Sequence, residues 1–125
     1  MRKKIYYHDT DCGGVVYYAN YLKYFEEGRT EYMRERGFEL KDLAEKGFLF
    51  VVKKVDIEYK APARYADTLE ITTEITQVRN VSLEFLQEVK REEKVFVSAT
   101  TVLVCIDSNF RPTAIPQELI DSIPK

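Results

Sequence analysis

The feature that most constrains this chain is a change in the period of its apolar residues. Between positions 18 and 36 they recur at helical spacing. Tyr21, Phe25, Gly28 and Tyr32 fall on one face, and Leu22 and Met33 widen it. Beyond Phe48 the period drops to two. Val55, Ile57 and Tyr59 alternate with Asp56, Glu58 and Lys60, and Leu69, Ile71, Thr73 and Ile75 alternate with Glu70, Thr72, Glu74 and Thr76. Leu83, Phe85, Gln87 and Val89 form a third set, and the stretch 95–106 is apolar on both faces, as a strand covered on both sides would be. A long amphipathic helix must bury its stripe, and the only partner this pattern offers is a sheet curved around it. The expectation is an α+β fold: an antiparallel five-stranded sheet wrapped around one long central helix, with a short first strand at residues 3–8.

Punctuation supports the same division. Gly37 and Gly47 read as helix stops, the second ending a short helix in "ELKDLAEKG". Pro62 marks a strand end, "REEK" (91–94) a tight turn, and "PQELID" a short terminal helix with Pro116 near its start. A chain of 125 residues without repeats or linkers reads as one domain spanning 1–125.

Composition excludes several functions. A net charge of -2 with mixed signs argues against a nucleic-acid binder. The basic start "MRKK" has no apolar segment behind it, and no apolar run is long enough for a membrane-spanning helix, so a cytoplasmic location is expected. Cys12 and Cys105 lack metal-ligand spacing, so no metal is expected and reduced thiols are the simpler reading. With one histidine in the chain, any histidine-based catalysis would have to use His8, which the period places on the first strand.

The chemistry is concentrated in "HDTDCGGVVYYANYLKYFEEGRTEY". Two aspartates, Asp9 and Asp11, precede a Gly13-Gly14 turn that feeds the long helix. Aspartate favours turns and helix starts, so Asp11 has a structural reading as well as a chemical one. The first amides of a helix have no internal partner and carry the positive end of its dipole. Such a terminus suits an oxygen on which negative charge develops.

This segment closely resembles the signature of hotdog-fold acyl-CoA thioesterases of the YbgC and 4-hydroxybenzoyl-CoA thioesterase type, roughly D-x-D-x-x-G-V-V-Y-x-x-N-Y followed by an aromatic and acidic helix. "DIEYKAPARYADTLEI" resembles the family's Y-x-x-P-A-R-x-x-D-x-L segment, and "VCIDSNFRPTAIPQEL" its closing strand, turn and Pro-initiated helix. The match runs in order over nearly the whole chain. The resemblance implies a hotdog fold and hydrolysis of the thioester of an acyl-CoA substrate, with coenzyme A as part of the substrate and no cofactor. It puts the catalytic carboxylate, nucleophile or general base, on Asp11, with Asp9 as scaffold. It puts the polarising donor on the backbone N–H of Tyr18, with the Gly14 turn giving room for close approach. Arg79, and more weakly Arg64, fall where basic residues meet the coenzyme A phosphates; Tyr17 and Glu26 are substrate-side candidates. Many YbgC-type members carry histidine where this chain has Tyr18, and the aromatic-acyl branch has tyrosine. The family also implies a homodimer or homotetramer with the site at the dimer interface. Two other readings exist. One is a non-catalytic acyl-CoA sensor or partner of an acyl-carrier protein, which has no need of Asp11. The other, a dehydratase, requires a helical histidine that is absent here.

Overall fold

The five strands form one antiparallel sheet in the order β1-β3-β4-β5-β2, with β1 at Arg2–Lys4, β2 at Leu49–Tyr59, β3 at Thr68–Val78, β4 at Ser82–Arg91 and β5 at Lys94–Ile106. The computed structural model describes residues 1–124. Helix α1 (Asn20–Glu35) lies on one face, α2 (Leu40–Glu45) follows it, and α3 (Gln117–Ser122) closes the described chain. Hairpins join β3 to β4 and β4 to β5, so sequential strands pair as period two and short turns require. The β4–β5 turn is tight enough to hold Glu92 at φ 57°. Among the described residues no helix is long and apolar enough to cross a membrane.

Two expectations for the strands need correction. The first strand ends at Lys4, and Tyr7–Asp9 form a 3-10 turn, so His8 sits on an exposed turn instead of a strand. The turn is favoured because the Asp9 carboxylate accepts the Tyr6 N–H at 2.8 Å, which bends the chain out of the sheet. The outer face of β5 is only half covered: buried Val97, Ala99, Thr101 and Leu103 alternate with half-buried Ser98, Thr100, Val102 and Val104.

The α1 stripe is also rotated from the expected one. Tyr21, Tyr24, Phe25, Gly28, Tyr32 and Met33 are buried, whereas Leu22 is 44% exposed. Two apolar clusters result. Tyr21, Tyr24 and Phe25 pack with Leu69, Ile71, Val89 and Val97, while Tyr32 and Met33 pack with Phe85, Leu103 and Leu119. Between them lies a polar link. Gln87, fully buried on β4, donates to the Phe25 carbonyl (2.9 Å) and the Thr73 hydroxyl (3.0 Å) and accepts from Arg29 (3.0 Å). Gly28 lets the helix come this close: a β-carbon there would lie 2.9 Å from Gln87 Nε2.

Candidate active site

Residues 9–17 fold into a small hairpin at the entry to α1. Thr10 pairs with Val16, Asp11 N–H donates to the Val15 carbonyl (2.9 Å), and Tyr17 N–H donates to the Asp9 carbonyl (3.0 Å). The tip is closed by Gly14 N–H to the Asp11 carbonyl at 3.0 Å, with Gly14 at φ 79°, a conformation that side chains disfavour. The Asp11 side chain is exposed at this tip. Its Oδ1 accepts the Gly13 N–H at 2.8 Å, and Oδ2 has no hydrogen-bond partner among the described residues. The turn-forming role therefore occupies one oxygen and leaves the other free to react.

Asp9 differs from Asp11 in every respect that matters for chemistry. It is only 7% exposed, its carboxylate accepts Tyr6 N–H, and its carbonyl accepts both Tyr17 N–H and Asn20 Nδ2 (2.8 Å). The buried Tyr24 hydroxyl faces the Asp9 carboxylate without a well-formed hydrogen bond, and burial together with that carboxylate pushes the phenol far up.

The helix begins at Asn20, two residues later than Tyr18, through a tight lead-in. Asn20, Tyr21 and Leu22 donate to the carbonyls of Tyr17, Tyr18 and Ala19. The N–H groups of Tyr18 and Ala19 have no acceptor among the described residues. No side chain caps this terminus, and its first turn has no acidic residue, so its positive end is not neutralised locally. The Tyr18 side chain, 61% exposed, walls a cleft of about 280 Å³ with Val16, Tyr21, Tyr59, Lys60, Ala61 and Pro62. Tyr17 packs against Tyr18 at 5.0 Å between ring centres, and Tyr59 meets Tyr18 edge-on at 6.2 Å. The Tyr59 hydroxyl donates to the Tyr18 carbonyl at 3.4 Å, and partial burial with Tyr18 alongside pushes its phenol up. Tyr59 and Pro62 stood in the sequence as a strand residue and a strand stop, and their part in the cleft is visible only when the loop folds back.

The remaining candidates divide between two ends of the molecule. Arg64 pairs with Val15 of the hairpin, so it lies beside the Asp11 tip with its side chain exposed. Arg79 follows the last residue of the 11-residue β3, whose other end lies near Arg64. At about 3.3 Å per residue the two arginines are some 35 Å apart along the strand. Arg79 lines an open groove of about 200 Å³ with Lys53, Lys54, Gln77, Ser82, Glu84 and Val102. Two bulges shape this groove. Lys53 is the extra residue of β2, between Val52 and Lys54, and Thr76 that of β3, between Ile75 and Gln77. None of the three cations forms an ion pair among the described residues. The lysines were missed because "VVKKV" reads as an ordinary strand until a bulge is known. Glu26 is exposed on α1 and faces a different groove, lined by Arg29, Met33, Phe50, Val52 and Leu103. Cys12 is exposed, while burial pushes the Cys105 thiol up. Among the described residues no group of His, Cys, Asp and Glu is arranged for a metal.

Comparison with known proteins gives the same picture from outside. Residues 6–123 match the model of the thioesterase-like superfamily. The chain is 43% identical over 119 residues to the acyl-CoA thioester hydrolase YbgC of Escherichia coli O157:H7, covering 94% of this chain and 89% of that one. It is 40% identical to the acyl-CoA thioesterase YbgC of Haemophilus influenzae, over 93% and 87% of the two chains. The crystal structure of a probable thioesterase from Bartonella henselae superposes with a TM-score of 0.89 at 32% identity, over 93% of this chain and 97% of that one. With its sheet order, its central helix and its D-x-D hairpin, the chain belongs to the thioesterase-like superfamily, among the hotdog-fold acyl-CoA thioesterases of the YbgC type.

Proposed function

We propose that the protein hydrolyses acyl-CoA thioesters to a free acid and coenzyme A, using Asp11 and the start of α1. The observation that carries this reading is the pairing of two unbonded amides, Tyr18 and Ala19, with a hairpin tip that presents a half-free carboxylate. In the substrate complex the amides hold the carbonyl oxygen as negative charge builds on it. Asp11 Oδ2 then either attacks the carbonyl, expelling the coenzyme A thiolate and leaving a mixed anhydride for water to open, or takes a proton from the attacking water. Either route consumes one water and needs no metal or cofactor. The tyrosine-walled cleft receives the acyl group, with Tyr17 backing Tyr18.

The coenzyme A phosphates are assigned to Arg79, Lys53 and Lys54. One chain cannot bring Arg79 to its own Asp11 through any local rearrangement, because the length of β3 separates the two. A second copy can. The outer edge of β2 is free in the sheet order, and antiparallel pairing of β2 with the same strand of a second copy sets the mid-strand Lys53 and Lys54 of one copy within a few residues of Tyr59 of the other. Centred on Val55, that pairing also opposes Lys54 to Asp56. A homodimer with two shared sites is therefore the proposed functional unit.

The test is thiol release from short, long and aromatic acyl-CoAs by the parent and Asp11→Asn. The variant should keep its circular dichroism spectrum and lose about a thousandfold or more in kcat. Activity equal to the parent's would refute the assignment of Asp11. Saturable binding with no thiol release by the parent would favour the sensor reading.

A further inference from the structure

Asn20 is a poor choice for the position it holds. Asparagine is a weaker helix former than alanine, and an acidic residue there would suit the helix dipole better. Nor does its side chain cap α1. Its Nδ2 reaches back eleven residues to the Asp9 carbonyl at 2.8 Å and is half buried there. That carbonyl already accepts Tyr17 N–H at 3.0 Å. The two bonds converge on one oxygen at the base of the hairpin whose tip is Asp11. Among the described residues the only other hydrogen bond from α1 to the hairpin base is the adjacent turn bond from Asn20 N–H to the Tyr17 carbonyl (2.9 Å); the side chain of Asn20 is the one tie from the helix to the Asp9 strand of the hairpin.

The arrangement has a consequence for the amides. Tyr17 N–H is consumed by Asp9, and the amides from Asn20 onward are consumed by the lead-in and the helix. Only Tyr18 and Ala19 remain, and they lie between the two anchoring points, Tyr17 and Asn20. A segment pinned at both ends keeps its two N–H groups at a fixed distance and angle from the hairpin tip. If the Asn20 side-chain bond is lost, only the turn bond from Asn20 N–H to the Tyr17 carbonyl still holds the helix start to the hairpin, and the helix start can swing relative to the Asp9 strand and Asp11.

We propose that Asn20 is a positioning residue, which locks the first turn of α1 onto the Asp11 hairpin so that the carboxylate and the two free amides address the same thioester. The inference rests on the acyl-CoA hydrolysis proposed above. It implies that Asn20 acts on the chemical step and not on substrate affinity, because it touches neither the cleft nor the basic groove.

The experiment measures kcat, KM and thermal melting for Asn20→Ala, Asn20→Asp and Asn20→Gln, with Asp11→Asn alongside, on whichever of butyryl-, decanoyl- and benzoyl-CoA the parent hydrolyses best. Asn20→Ala should lose about tenfold or more in kcat with KM within about twofold of the parent's, as misplaced catalytic groups do. Asn20→Asp, the same size but with an acceptor facing the Asp9 carbonyl, should lose more. Asn20→Gln, which keeps the donor on a longer arm, should recover part of the loss. An Asn20→Ala kcat equal to the parent's overturns the proposal, as does a loss carried by KM or a loss that glutamine does not reduce. Failure of all three variants to fold assigns Asn20 to the scaffold alone and overturns it too. If Asp11→Asn is inactive while Asn20→Ala is fully active, this inference falls and the hydrolase reading stands; if Asp11→Asn is itself active, it is the hydrolase reading that falls.

Discussion

Gly28→Ala sets two physical effects against each other, and the structure decides between them. In an exposed helix interior the change stabilises by about 0.5–1 kcal/mol, because alanine gives up less chain entropy on folding. At Gly28 the new β-carbon would lie 2.9 Å from Gln87 Nε2, 3.0 Å from Ile71 Cγ2 and 3.0 Å from Thr73 Oγ1. These atoms belong to two strands, so no single side chain can move aside to relieve all three. Overpacking of this kind costs about 1–3 kcal/mol. Lifting the helix also stretches the bond from Gln87 to the Phe25 carbonyl, and Gln87 is fully buried, so an unsatisfied amide there costs about 1–3 kcal/mol more. Taking the middle of each range, the net effect is a loss of about 3 kcal/mol. For a chain of this length that lowers Tm by about 10 °C. Thermal and urea unfolding followed by circular dichroism measure it. A variant that melts at or above the parent's temperature would refute the claim that close approach, and not helix geometry, explains this glycine.

Tyr21, Tyr24 and Tyr32 all have phenols pushed up by burial, so above about pH 10 the folded state holds protons that the unfolded chain has released. Their contribution to stability is complete below the ordinary phenol range and falls as pH rises beyond it; urea unfolding repeated at rising pH should show stability dropping above about pH 10, and no drop would refute the burial of these phenols. Arg79→Ala and Lys54→Ala should each raise KM for an acyl-CoA by about tenfold while leaving hydrolysis of the matching acyl-N-acetylcysteamine, which has no phosphates, unchanged. An equal effect on both substrates would remove these residues from phosphate binding. Phe85→Ala, at a fully buried ring meeting Tyr32 edge-on at 6.0 Å, should destabilise by about 3–5 kcal/mol in urea unfolding.

Much of this molecule was legible in its sequence. The switch from helical to alternating period gave the helix and four of the strands, because burial of one face leaves a strong periodic trace. The D-x-D segment gave the family and the candidate carboxylate. The rotation of α1 was not legible, because Leu22 and Tyr24 are both apolar enough to face inward and only packing against β3 selects Tyr24. Gln87 looked like an ordinary inward residue of its strand, and its partners come from α1 and β3, both distant in sequence. The separation of Arg79 from Asp11 follows from strand length and sheet order, neither of which a local motif carries. The bulges at Lys53 and Thr76, which flank the basic groove, leave no sequence signal at all.

The sheet has two unequal edges. β1 offers three residues and β2 eleven. An uncovered strand is a template for further strands, and proteins that expose one risk growing into filaments. Here the long edge is bulged at Lys53 and carries charges of both signs, which discourages pairing in other registers. If two copies join edge to edge through β2, the ends of the resulting ten-stranded sheet are both β1, too short to recruit another strand. Growth by strand addition therefore stops at two, and the protein can remain dispersed at high concentration while keeping a sticky edge for its own kind.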